Sequence, residues 1–281
     1  MSGATHQRPL PSIVVEPGRG WTKINLRELW DYRDLLFFLT WRDINVRYKQ
    51  TVLGAAWAII QPFLSMIVFS FFFGKLAQIP SEGVPYPIFS FAALLPWQYF
   101  STAMANSANS LVNSSNLLSK VYFPRLLIPL SGVLLPLVDL AIAFIMMIAM
   151  MFYFGVIPTW NFVWLPVFVL LAVITSLGIG LWLAALNVHY RDVRYIVPFL
   201  VQFGLFISPV VYSSSLLPEK WRMWYGLNPM AGVIEGFRWS LLGQYTLPRS
   251  LVAVSALVAI FLIVSGLAYF GRVEKSFADV V

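Results

Sequence analysis

RDINVRYKQTVLGAAWAIIQPFLSMIVFSFFFGK, residues 42–75, decides the fold because it joins two physical regimes in one short stretch. Up to Lys49, bulky apolar residues are interleaved with charged ones. From Thr51 to Gly74 there is no charge at all. At about 1.5 Å per residue, a helix over that uncharged run crosses a hydrocarbon core of about 30 Å. Just upstream, Phe37, Trp41, Ile44 and Tyr48 follow steps of four, three and four, which predicts one apolar helix face. Arg42, Asn45 and Lys49 fall on the opposite side. The pattern predicts an amphipathic interfacial helix over 31–50, apolar side down and basic side toward lipid phosphates or a protein partner. It is expected to turn directly into the first spanning helix.

Composition agrees. Only 11% of the 281 residues are charged, against about 25% in soluble domains, and 59% are hydrophobic. The chain therefore reads as an all-α integral membrane protein with no soluble domain of useful size. Cysteine is absent, which excludes a disulfide framework and thiol chemistry. Two histidines, His6 and His189, make no zinc site, and no metal is expected. The net charge of +7 is assigned to residues flanking spans and facing anionic lipids, not to nucleic acid. The first apolar run starts late and lacks a small-residue cleavage pattern, so no cleaved signal peptide is expected.

Six transmembrane helices are predicted, at about 51–75, 88–112, 126–155, 162–187, 196–213 and 250–270. Residues 1–30, rich in Pro and Gly, and 273–281 are tails, and 51–272 is the membrane domain. Residues 214–248 hold two short helical patterns broken at Asn228-Pro229, each too short to cross. They predict a re-entrant or interfacial hairpin between the fifth and sixth helices. Fourteen of the nineteen Lys and Arg residues fall in the N-terminal region, the 113–125 and 188–195 loops and the C-terminal tail. The positive-inside rule then puts both termini in the cytoplasm.

The second span carries a polar stripe, Thr102, Asn106, Asn109 and Asn113, again spaced four, three, four. An unpaired amide in hydrocarbon costs about 4–8 kcal/mol, so the stripe must face a helix or water. Two readings stand: interhelical hydrogen bonding, or a wet wall along which a polyhydroxyl substrate slides. Asp139 is the acid well inside a span, at a cost of about 2.5–3.5 kcal/mol if charged. It is a functional candidate or a structural acid paired with a neighbour. Gly232 and Gly236 form a GxxxG that permits close helix approach. Glu235 and Arg238, three apart, are expected to form a local salt bridge on a hairpin acting as lid or gate. Phe89, Phe91, Trp97, Tyr99, Trp221, Trp224 and Tyr225 read mainly as an interfacial belt, and some can stack on sugar rings. His189 and Asp192 read as a solvated turn. No GxxxxGK[ST] phosphate loop occurs, so the chain does not bind ATP by that route.

RYKQTVLGAAWAIIQP at 47–62, NLLSKVYFPR at 116–125, the NVHYRDVRY loop and LNPMAGVIEGFRW at 227–239 together resemble the type-2 ABC exporter permeases of bacterial polysaccharide export. The resemblance covers roughly 30–272. It implies a non-enzymatic homodimeric permease in the bacterial cytoplasmic membrane, joined to two copies of an ATP-binding cassette subunit that carries ATP and Mg. It implies a lipid-linked polysaccharide substrate, O-antigen or teichoic-acid-like, moving between the two copies. Arg42, Asp43, Arg47, Tyr48 and Lys49 would mark the cytoplasmic entrance for its head group. Asn116, Leu117, Leu118, Lys120, Tyr122 and Arg125 would couple to the ATPase. Thr102, Asn106, Asn109, Asn113, Trp97 and Phe91 would line the path. Trp221, Trp224, Tyr225, Glu235 and Arg238 would form the external gate. Competing classes are an exporter of a drug or small lipid and a membrane-embedded polyprenyl-glycan transferase.

Overall fold

The computed structural model of the chain describes residues 26–49, 54–118, 120, 123–243 and 246–274. The expected tails, the junction at 50–53 between the interfacial and first spanning helices, and Tyr122 lie wholly or partly outside them. The described residues are helical, with no strand among them.

A short α1 (Leu26–Asp31) leads into α2 (Arg33–Lys49), and α3 (Gly54–Phe69) continues as a π-helical turn over Ser70–Leu76. Next come α4 (Tyr86–Asn113), the single turn α5 (Ser115–Leu118) and α6 (Leu127–Phe154). A 3₁₀ turn at Trp160–Trp164 opens α7 (Leu165–His189), followed by α8 (Val193–Ile207), α9 (Glu219–Tyr225), α10 (Pro229–Leu242) and α11 (Arg249–Val273).

Among the described residues, four segments are long and apolar enough to cross a membrane: Ala56–Leu76, Leu127–Phe154, Trp160–His189 and Arg249–Val273. The two other expected crossings differ from these for opposite reasons. α4 is 28 residues long, but its serines and asparagines dilute its apolar character. α8 is apolar but only 15 residues long.

α4 is the central helix. Twenty of its 28 residues are buried, and it packs against α6, α7 and α10. Glycines set the closest crossings. A Cβ on Gly178 of α7 would sit 2.8 Å from the backbone of Ile263 in α11, and one on Gly180 would sit 2.5 Å from Ser107 Oγ of α4. Such small residues let backbones meet where apolar lipid supplies no hydrophobic drive between helices. Gly155, at φ 66°, ends α6 in the left-handed conformation, its N–H donating back into the last turn.

The lower end of the bundle is a second apolar cluster. It joins Leu39 of α2, Leu111 of α4, Leu118 and Phe123 of the connecting loop, Leu127 of α6, Val188 of α7 and Phe270 of α11. α2, the loop after α4 and the last turn of α11 therefore share one end.

The segment expected as a surface hairpin is divided. α9 has no buried residue, whereas 13 of the 14 residues of α10 are buried. The GxxxG explains this: a Cβ on Gly232 would meet Ser255 at 2.5 Å, and one on Gly236 would meet the Phe168 ring at 2.1 Å. α10 thus lies wedged between α11 and α7, with Asn228 capping its first turn through Met230 N at 3.0 Å.

Candidate functional site

The site is built from α2, α4 and α6. α2 meets the bundle through Leu35, Leu36 and the buried Leu39, with Tyr32 just before it, a face rotated from the one that periodicity suggests. Phe37 and Trp41 are 70% and 54% exposed and stack on each other with ring centroids 6.2 Å apart. The same rotation turns Asp43 and Arg47 inward and leaves Arg42 and Lys49 exposed. Arg42 holds Asp43 Oδ1 through both Nε and Nη2, at 2.9 and 2.7 Å.

Behind α2 lies a cleft of about 440 Å³. Its α4 wall is the polar stripe, Asn106, Asn109 and Asn113, and its α2 wall carries Arg42, Asp43 and Arg47. Gly132 of α6 makes the back wall thin, since a Cβ there would lie 3.1 Å from the Asn106 backbone. Asn109 is committed to structure: its Nδ2 donates to Ala105 O at 2.8 Å, and its Oδ1 accepts from Asn187 of α7 at 3.1 Å. Asn106 and Asn113 face the cleft without such a bond. The interhelical hydrogen-bonding reading thus holds at Asn109, while Asn106 and Asn113 line the cleft.

Arg47 closes the inner end of this cleft. Its Nη2 lies 2.8 Å from Asp139 Oδ2 of α6, and the adjacent Tyr48 donates its hydroxyl to Asp139 Oδ1 at 2.5 Å. Burial first, and then this bond, push the Tyr48 phenol above its ordinary value, so it remains a donor. Residues named separately in the sequence as entrance and intramembrane acid are one cluster. Beyond it is a small cavity of about 40 Å³ reached by Gln61, Gln98, Thr102 and Asp139. Gln61, Gln98, Ser131 and Asn187 were missed in the sequence. Gln98 carries the stripe one further turn before Thr102, which periodicity could have shown.

In the loop after α4, Leu118 is buried and Lys120 and Asn116 are exposed. Arg125 ties the loop to the end of α11: its backbone N–H donates to Glu274 Oε1 at 3.3 Å, and its guanidinium donates to the Glu274 carbonyl. Burial raises the Glu274 carboxyl above its ordinary range against the opposing pull of Arg125.

At the opposite end, Arg238 is fully buried. It donates to the carbonyls of Phe89, Val210 and Tyr212, at 3.4, 2.9 and 2.7 Å for Nε to Phe89, Nη1 to Tyr212 and Nη2 to Val210 respectively. It also lies 3.6 Å over the Phe89 ring. The pairing with Glu235 expected at the surface is present at 3.8 Å, but between two fully buried groups. Glu235 Oε1 accepts from Ser214 N at 2.9 Å. Trp221 and Trp224 are exposed, and Tyr225 is half-buried with its hydroxyl 2.8 Å from that of Tyr212. Phe91 and Trp97 are buried in the core of the chain and do not border the cleft. Among the described residues no group of three or more His, Asp or Glu could hold a metal ion.

Residues 34–242 match the model of the ABC-2 type transporter family. The chain is 30% identical over 262 residues to an O-antigen export system permease protein RfbA of Klebsiella pneumoniae, covering 92% of this chain and 98% of that protein. It is 31% identical over 259 residues to the RfbA of Myxococcus xanthus, covering 90% and 98%. It is 23% identical over 239 residues to the polysialic acid transport protein KpsM of Escherichia coli, covering 84% and 92%.

Proposed function

The chain belongs to the ABC-2 type transporter family, and from that premise we propose that it is the membrane permease of an ATP-driven exporter of lipid-linked polysaccharide, of O-antigen type. The observation that carries this reading is the likeness, along almost the whole chain, to permeases named for O-antigen export. ATP and Mg belong to a separate ATP-binding subunit, and this chain has a transport role.

In this reading α4 and α8 complete six crossings, α9 and α10 form a re-entrant outer segment, and both termini lie in the cytoplasm of a bacterial inner-membrane protein. Two copies pair, each with an ATP-binding subunit, and the glycan passes between them. The exposed aromatic pair Phe37–Trp41 and the Asn116–Arg125 loop are the surfaces that meet the motor. Their ties support this: α2 is bonded to α6 through Asp139, and the loop is bonded to the end of α11 through Glu274. A push on either is passed to a long helix as a rigid-body shift. Arg42 and Arg47 receive the phosphate head, for which guanidinium is suited by its paired donors. Trp221, Trp224 and Tyr225 border the outer opening, with Arg238 holding the backbone behind them.

The test is co-purification of the chain with an ATP-binding subunit, followed by hydrolysis measured with and without lipid-linked glycan. Stimulated hydrolysis is the expected result. A permease that works without any such partner would refute the reading.

A further inference from the structure

We propose that residues 215–225 form a movable flap over the outer opening, swung as one body from a fixed frame, and that the hydroxyls of Tyr212 and Tyr225 are its latch. This rests on the export reading, in which α9 and α10 lie together at the outer opening, and divides that region into a moving and a fixed part.

Three observations carry it. First, the chain on the N-terminal side of the flap is gripped almost residue by residue. Asn228 donates to Ser208 Oγ at 2.9 Å. Arg238 donates to the carbonyls of Val210 and Tyr212 at 2.7 and 2.9 Å, and the Tyr86 hydroxyl donates to that of Val211, between them, at 2.7 Å. Ser213 donates its hydroxyl to Glu82 at 2.8 Å, and Glu235 accepts from Ser214 N. On the C-terminal side Gly226 is seated on α11, where a Cβ would lie 2.7 Å from the Leu251 carbonyl oxygen. Moving this frame would strip a buried guanidinium and a buried carboxylate of their partners, which is strongly unfavourable.

Second, the frame stops abruptly. Ser214 and Gly226 are buried, and none of residues 215–225 between them is. Within the segment Arg222 donates to the carbonyls of Ser215 and Leu217 at 2.8 and 3.0 Å. It therefore holds its own shape, as an Ω-loop does, and can move as a unit without exposing a buried side chain.

Third, the neck of the flap is closed by two phenols. The Tyr225 hydroxyl lies 2.8 Å from that of Tyr212. Both are within hydrogen-bond reach of the Ile207 carbonyl, Tyr212 at 3.2 Å. Ile207 is the last residue of α8, so a tilt of α8 takes away the acceptor that the latch shares. Through these hydroxyls the state of α8 reaches the flap.

The test uses the complete permease–ATPase complex with one spin label per chain, at Met223→Cys on the flap or Leu227→Cys on the frame side of Gly226. Both positions are exposed, and the chain has no native cysteine. Trapping the complex with ADP and vanadate is expected to raise the mobile fraction of the Met223→Cys spectrum and to leave Leu227→Cys unchanged. Tyr225→Phe removes the latch and keeps the ring. It should raise the mobile fraction at Met223→Cys by about fivefold without nucleotide, the worth of one modest hydrogen bond. Tyr212→Phe should shift it in the same direction. An equal response at Leu227→Cys would overturn the fixed frame, and spectra that both Phe variants leave unchanged would overturn the latch. Hydrolysis by the same complex with and without lipid-linked glycan tests the export reading separately. A flap that stays still in a glycan-stimulated complex would therefore overturn this inference alone.

Discussion

Asn187 of α7 donates from Nδ2 to Asn109 of α4, at 3.1 Å from its Oδ1, and to the neighbouring Ala108 carbonyl at 2.9 Å. The bond divides the polar stripe into a part that fastens helices and a part that faces the cleft.

Asn187→Leu should therefore lower stability by about 0.6 kcal/mol and at most about 1.7 kcal/mol, the range of interhelical bonds in membrane bundles. Asn106→Ala should leave the melting temperature in detergent nearly unchanged and still reduce glycan export. Equal stability losses at the two positions would return the whole stripe to a structural role.

Arg238 holds three backbone carbonyls and covers the Phe89 ring. Lysine cannot reproduce that fork. Arg238→Lys, and more so Arg238→Ala, should destabilise the permease strongly, by about 3–5 kcal/mol for loss of one buried ionic partner beside Glu235. The check is chemical denaturation in detergent. A fully stable Arg238→Ala protein would mean that the carbonyls find other donors.

Gly236 is pressed against the Phe168 ring, which a Cβ would meet at 2.1 Å. Gly236→Ala should cost about 1–3 kcal/mol by overpacking. Phe168→Leu in the same chain should recover part of the loss, so the double variant should melt above the single one.

The Glu274 carboxyl is raised from an ordinary value of 4.5, first by burial, with the Arg125 backbone bond opposing. Its folded form binds a proton more readily than its unfolded form. Stability should therefore fall as pH rises from 4.5 through the raised value. Melting curves taken from acid to neutral pH should follow that trend in the wild type and flatten in Glu274→Gln.

Much of the architecture was legible in the residues. The uncharged run after Thr51, the four-three-four stripe of α4 and the Gly/Pro breaks around α6 and α7 follow from local periodicity and transfer cost. What escaped depends on rotation and long-range contact. Phe37, Trp41, Ile44 and Tyr48 do share a stripe, but the bundle takes α2 through Leu36 and Leu39, because small changes in helix rotation are unconstrained when both faces carry apolar groups. Arg47 and Asp139 were noticed apart, and nothing local in the sequence shows that they meet. Glu235 and Arg238 read as a local salt bridge on a hairpin at the membrane surface, because charge suggests surface. Three backbone carbonyls from distant segments make their burial tolerable, and those are invisible until the fold is known.

The most direct test of the account is sidedness, since a motor-coupled α2 end must face the cytoplasm. The chain has no native cysteine, so Asp34→Cys on α2 and Trp160→Cys at the opposite end of the bundle each give a single reporter. Trp160 is 90% exposed, and the Asp34 side chain is 91% exposed. With a membrane-impermeant maleimide, Asp34→Cys is predicted to label in inverted vesicles only, and Trp160→Cys in intact spheroplasts only. Labelling of Asp34→Cys from outside the cell would contradict the account at its centre.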